Sequence, residues 1–170
     1  KRIELMKQTA PTLSRLAALW HPGAYGERTM EEMSSEAEAP ARRLGVQLQR
    51  FEARSVNEFE AAFTAMGRER IRALVVMPSP MFYNEHKRIT DLALKSRLPA
   101  IFAFREAAES GALMSHGASL TALFHHAATP VDKLLRGANE VGTLPVEQPT
   151  TFALTLNLKT AKNLGLAIPP

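Results

Sequence analysis

Three of the five histidines in this chain fall between His116 and His126, in the stretch GALMSHGASLTALFHH beside Ser115 and Gly117. Such a cluster could hold a metal or supply a base, and spacing decides between them. Helical metal ligands stand at i and i+3 or i+4, on one face. His125 and His126 are adjacent and project about 100° apart on a helix, so they are poorly placed to share one ion. Ser115 and His116 are neighbours on a strand and face opposite ways, which separates a nucleophile from its base. The sequence has no cysteine, which removes disulfides, thiolate zinc sites and a thiol nucleophile. No metal site is expected. His116 reads either as a ligand contact at a strand end or as a turn residue.

Arg105 could clamp a carboxylate with two parallel N–H bonds, or form an ordinary ion pair with a neighbouring acid. Trp20, Tyr25, Phe82 and Tyr83 could stack on a ligand or pack in a core. No G-x-G-x-x-G follows the first apolar run; GAYG at 23–26 has the wrong spacing. Neither G-x-x-x-x-G-K-[ST] nor G-x-S-x-G occurs. A magnesium-binding receiver domain would need carboxylates at the strand ends, where this chain has His21, Ser79 and Arg105. No cofactor is expected. The 21 basic and 17 acidic residues are scattered, and aromatics make up 6%, so a nucleic-acid partner is not expected either.

The elements that would position these groups alternate in type. With 45% hydrophobic and 22% charged residues, the 170-residue chain can bury a core of its own. Continuous apolar runs at 14–20, 71–78 and 99–104 read as buried parallel strands, and 46–53 alternates like a strand with one wetter face. Shorter candidates lie at 112–116 and 152–157. Helical patterns fill the gaps. Ser55 and Glu58 have capping-box spacing, ahead of a stripe of Phe59, Ala62, Phe63 and Met66. Ser79 can cap a helix with Pro80 at its first position. A helix can run from Ser119 to Gly137, and another spans 27–45, where Pro40 should introduce a kink. Strand-then-helix repetition predicts an α/β fold with three layers and a mostly parallel sheet. Ligands of such sheets bind beyond the carboxyl ends of the strands, here 21–24, 78–80, 105–106 and 115–117.

SRLAALWHP, RIRALVVMPSPMF, RLPAIFAFRE, GALMSHG, VDKLLRGA and LPVEQPTTFALTLNLKTAKNLGLAIPP together resemble the ABC-transporter substrate-binding proteins grouped around tryptophan and tyrosine uptake. The resemblance implies one lobe of a type I periplasmic-binding-protein-like fold. Residues 1–117 plus 150–170 would form the second ligand-binding lobe. Residues 118–149 would be a crossover helix and linker that packs on a first lobe upstream of Lys1. It further implies an extracytoplasmic, periplasmic receptor without catalysis. Such a receptor captures a small-molecule solute, an aromatic or other amino acid, and hands it to an ABC permease. By the same resemblance the ligand contacts are His21, Ser79, Arg105 and His116, with Phe82 as a stacking surface. The chain departs from the family at this edge: His21 stands where asparagine is common, Ser79 where aspartate is, and His116 where tyrosine is. A sensory or regulatory domain of the same fold is the alternative reading. The apolar residues Leu120, Leu123, Phe124, Ala127, Val131 and Leu134 share one helical face, for which a homodimer through residues 119–136 is the expected cover. Pro130 could bend or break that helix.

Overall fold

Each central apolar run yields a strand shorter than itself: β1 (Arg15–Trp20), β3 (Ala73–Val76) and β4 (Ala100–Phe102). The computed structural model describes residues 1–137, Pro149 and residues 151–168. With β2 (Gln47–Glu52), β5 (Met114–Ala118) and β6 (Phe152–Leu156), these strands build a six-stranded sheet in the order β2-β1-β3-β4-β5-β6. All neighbours are parallel except the last pair, where β6 runs antiparallel to β5 with His116 opposite Leu154.

Successive strand side chains point to opposite faces, and both faces are apolar. Leu16, Ala18, Trp20, Val75 and Met114 pack with Ile3 and Met6 of α1 (Arg2–Thr9), Ala37 and Ala41 of α2 (Glu27–Arg43), and Ala161 of α8 (Leu158–Leu164). Ala17, Leu19, Leu74 and Val76 face the other way. They meet Phe59, Phe63 and Met66 of α3 (Phe59–Arg68), Phe82 of α4 (Pro80–Asn84), Ile89 of α5 (His86–Lys95) and Ala107 of α6 (Arg105–Glu109). The fold is three-layered α/β with a mostly parallel sheet, as the pattern predicts.

Several local expectations are corrected. Helix α2 continues through Pro40 to Arg43; the proline sits in the last turn, buried with Ala37 and Ala41, so little helix remains beyond it to break. Ser55 does not cap α3. The Glu58 carboxylate accepts from the Arg54 backbone N–H at 2.9 Å and the Ser55 hydroxyl at 3.2 Å, closing a short 3₁₀ turn (Val56–Glu58), and α3 starts after it. The segment after Ser79 is two helices, not one. His86 sits at the junction, its Nδ1–H donating to the Tyr83 carbonyl at 2.7 Å and its Nε2 accepting from Ser110 Oγ at 3.1 Å. The strand expected at 112–116 sits two residues later and contains Ser115, His116 and Gly117 within it. Helices α1, α6 and α8 carry too few apolar residues each to show a period.

Helix α7 (Leu120–Leu135) begins at Ser119, whose hydroxyl accepts from Ala122 N–H at 3.3 Å, and runs unbroken through Pro130. None of its residues is buried, and Phe124 is 76% exposed. The linker expected between this helix and residue 150 falls at 138–148, outside the described residues. Past β6, Asn157 ties the chain back to α6: its Nδ2 donates to the Ala108 carbonyl at 2.9 Å, while its Oδ1 caps α8 at Thr160 N. Among the described residues no helix is long and apolar enough to cross a membrane.

Candidate functional site

A parallel sheet of order 2-1-3-4-5 reverses its winding between β1 and β3, and the crevice at their carboxyl ends is where ligands bind in such sheets. His21 follows β1 and Ser79 lies three residues past β3, so the two flank that crevice. Nδ1 of His21 is 3.2 Å from Oγ of Ser79. Ser79 is 2% exposed and is the N-cap of α4: its Oγ accepts the Phe82 backbone N–H at 3.1 Å, and Pro80 supplies the first helical position. One oxygen therefore fixes both the helix start and the imidazole.

Phe82 is not available as a stacking surface. It is 2% exposed, with its ring 5.7 Å from the His21 ring and 5.8 Å from the Phe59 ring. It backs His21 from the core side. Trp20 is likewise a core residue, with the Arg50 guanidinium 4.4 Å over its ring, while Tyr25 lies exposed. Tyr83 meets Phe104 edge-on at 4.9 Å, close to the crevice.

Arg105 stands apart from these groups. Strand β4 ends at Phe102, so Arg105 is the first residue of α6, where its Nε donates to Glu109 Oε1 at 2.6 Å in an exposed i,i+4 pair. Of the two readings for Arg105, the structure shows the ordinary ion pair. That pair borders a separate groove of about 270 Å³ lined by Glu106, Ser115, Ser119 and Thr121.

His116 lies on the face of Met114, the α1/α2 side, whereas Ser115 is buried on the other side. Its ring stacks on Phe152 of β6, centroids 5.9 Å apart and planes within 5°. Both rings border a cavity of about 420 Å³ that reaches Met77, Pro78 and Phe104 along the carboxyl edge. Burial, with the nearby Arg2 guanidinium adding to it, holds the His116 pKa below the ordinary histidine value. Arg2 lines the same cavity, and its guanidinium is held below the usual range by burial, partly offset by the Glu36 carboxylate. Arg2, Glu36 and Phe152 also line this cavity, and the sequence pattern does not single them out. Helix α1 is too short and polar to show a period, so no local signal marked Arg2.

Next to His116 lies Gly117, whose backbone presses on the β4 end: a Cβ there would fall 2.0 Å from the Ala103 carbonyl oxygen. His125 and His126 lie exposed on α7. Among the described residues no group of three His, Cys, Asp or Glu side chains could hold a metal ion.

The fold has close counterparts among solved structures. It superposes with TM-score 0.87 and 23% identity on a structure from Streptococcus pneumoniae described as an ABC domain in complex with L-Trp, covering 99% of this chain and 57% of that one. A conserved domain protein from Vibrio cholerae gives TM-score 0.87 at 22% identity, covering 98% and 55%. The ligand-free, open structure of a substrate binding protein with adhesive properties from Clostridium difficile gives 0.69 at 21%, covering 99% and 56%. The chain thus spans little more than half the length of each. No curated protein sequence matches it significantly. The family profile described as ABC transporter substrate binding protein matches residues 1–170 in full, and the chain belongs to that family.

Proposed function

We propose that this chain is one lobe of a non-catalytic solute receptor that serves an ABC importer on the outer side of the cytoplasmic membrane. A small organic solute, of the size of an aromatic amino acid, would lie along the carboxyl edge of the sheet. There His21, held by the buried Ser79, offers a polar group at the β1/β3 crevice, and His116 with Phe152 offers a flat wall. The observation that carries this reading is the cavity of about 420 Å³ at that edge, within the size range of small-molecule sites. The L-Trp in the pneumococcal structure supports a solute of this size. Arg105, engaged by Glu109, would contribute at the rim. Residues 1–117 and 150–170 would act together as the binding lobe. Residues 118–149, with the exposed face of α7, would reach the rest of a two-lobe receptor; a homodimer through residues 119–136 is the alternative cover, and no comparison supports it.

Titration calorimetry of the full-length protein against amino acids and small organic acids tests the reading. One solute should bind one-to-one with micromolar or tighter affinity, weakened by His21→Ala and by His116→Ala. A panel with no saturable binder, or a binder indifferent to both substitutions, would overturn it.

A further inference from the structure

On the amino edge of the sheet, opposite the crevice, the turns that lead from α2, α3, α5 and α6 into the next strand share one backbone form. One N–H bonds the carbonyl three residues back and the next N–H bonds the carbonyl five residues back, closing the helix through a left-handed residue. Glycine takes that position at 45 and 111, with φ of 63° and 114°, but arginine takes it at 70 and 97, both at φ 53°. A side chain at positive φ crowds its own backbone, which is why glycine is the usual choice. The turn would form as well with glycine, so the two arginines serve something besides the turn.

They belong to a row that crosses four adjacent parallel strands. Arg42 precedes β2, Arg15 opens β1, Arg70 and Arg72 precede β3, and Arg97 precedes β4. The Arg72 N–H bonds the Arg15 carbonyl at 3.2 Å and the Leu74 N–H bonds the Pro99 carbonyl at 2.9 Å, so these strand starts lie side by side. Arg15 braces the row: its Nη1 donates to the Glu69 carbonyl at 2.5 Å and its Nε to Gln47 Oε1 at 3.3 Å, which holds the loop that carries Arg70. Arg42, Arg70, Arg72 and Arg97 are exposed, and Glu69 is the exposed acid among them. A helix dipole favours a base in the last turn, as at Arg42, but gives no reason for Arg72, which stands past the turn at the entry to β3.

We propose that this arginine row is a docking surface for an anionic phospholipid bilayer. The receptor reading above puts a membrane within its reach, while the row itself is separate from the solute site. Guanidinium groups take phosphate oxygens in forked, charge-assisted bonds, and neighbouring strands set them about 5 Å apart, so the row meets a plane of headgroups at several points. A protein partner would seat apolar or aromatic side chains at the centre of its interface. Among the described residues the row exposes none: Val46, Ile71 and Leu98, next to the turns, are buried. Single-stranded nucleic acid would find no ring there to stack on. A plane of lipid phosphates asks for positive charge alone. The cavity of about 420 Å³ lies at the other end of the strands, so docking leaves the solute edge open.

Co-sedimentation of the full-length protein with vesicles tests this. Vesicles of equal parts phosphatidylglycerol and phosphatidylcholine should carry the protein down at low salt, phosphatidylcholine alone should not, and added salt should release it. Arg70→Gly combined with Arg97→Gly should weaken the binding at least about tenfold. That double variant should melt no lower than the unsubstituted protein, because glycine relieves both turns. Arg72→Gln should weaken binding about fivefold. Failure to bind the anionic vesicles, as when the rest of the full chain covers this edge, would overturn the proposal. So would equal binding to both vesicles, full binding by the folded double variant, a double variant that melts lower, or tighter binding to single-stranded RNA than to vesicles at equal phosphate. Each of these leaves the receptor reading standing, whereas a protein that binds vesicles and no solute keeps this surface and loses that reading.

Discussion

Nδ1 of His21 lies 3.2 Å from Oγ of Ser79, across the gap where the sheet reverses its winding between β1 and β3. Ser79 Oγ also accepts the Phe82 N–H, and the direction of its bond with the imidazole is set by the His21 tautomer. Ser79→Ala removes both bonds and leaves a buried N–H at the start of α4. It should cost about 1–2 kcal/mol, read as a melting temperature lower by roughly 2–8 °C. Ser79→Asp keeps the cap and should recover most of that loss in the same melt.

Gly117→Ala places a methyl group 2.0 Å from the Ala103 carbonyl oxygen, a backbone atom that cannot swing aside. Strand β5 must shift against β4, at a cost of about 1–3 kcal/mol by denaturant titration. Because Gly117 borders both the 420 Å³ cavity and the 270 Å³ groove, solute affinity should fall along with stability.

His116 has its pKa lowered, chiefly by burial. The unfolded chain therefore takes up this proton at a higher pH than the folded one. Between the ordinary value of about 6.5 and the lower folded value, the unfolded state binds more protons, so stability rises with pH there. Below that window the contribution of neutral His116 is lost. Denaturant midpoints measured from pH 7 down to pH 5 should fall for the unsubstituted protein, and less steeply for His116→Phe.

Phe82→Ala and Arg105→Ala separate a core residue from a rim residue. Phe82 is fully enclosed among Phe59, His21 and the strands, and truncating it should cost about 3–5 kcal/mol. Arg105 makes one exposed ion pair, and its loss should change stability by less than about 1 kcal/mol. Two chemical denaturation curves check this, and similar costs for the two substitutions would contradict the placement of Phe82.

The strands and the three layers were legible because each apolar run is bounded by helix-length polar segments, and Ser79 with Pro80 announced the start of α4 correctly. The capping-box spacing of Ser55 and Glu58 misled, because the Glu58 carboxylate turned back to the Arg54 N–H and formed a tighter turn. His116 and Ser79 were found as edge residues, since strand ends follow from apolar runs. Arg2 and Phe152 were not, because they come to the cavity from opposite ends of the chain. Only the antiparallel pairing of β6 with β5 brings Phe152 beside His116, and no local period encodes that pairing. Phe82 shows the converse limit: an aromatic at a helix start by the crevice reads the same whether its ring faces ligand or core.

Strands β1 to β5 run parallel, whereas β6 is an antiparallel edge strand held by β5 alone. Its residues are exposed or half-buried, unlike those of β1, β3 and β4, so β6 should detach before the central strands do. The return is latched by Asn157 and by Thr160, whose hydroxyl donates to the Gly111 carbonyl at 2.8 Å. Phe152 is 56% exposed and contributes little grip of its own. Amide exchange should therefore proceed through a local opening in β6 and α8 that leaves β1 to β4 protected. In that opened form His116 loses its stacked ring and the cavity loses a wall, so the proposed solute site exists only while the edge of the sheet is in place.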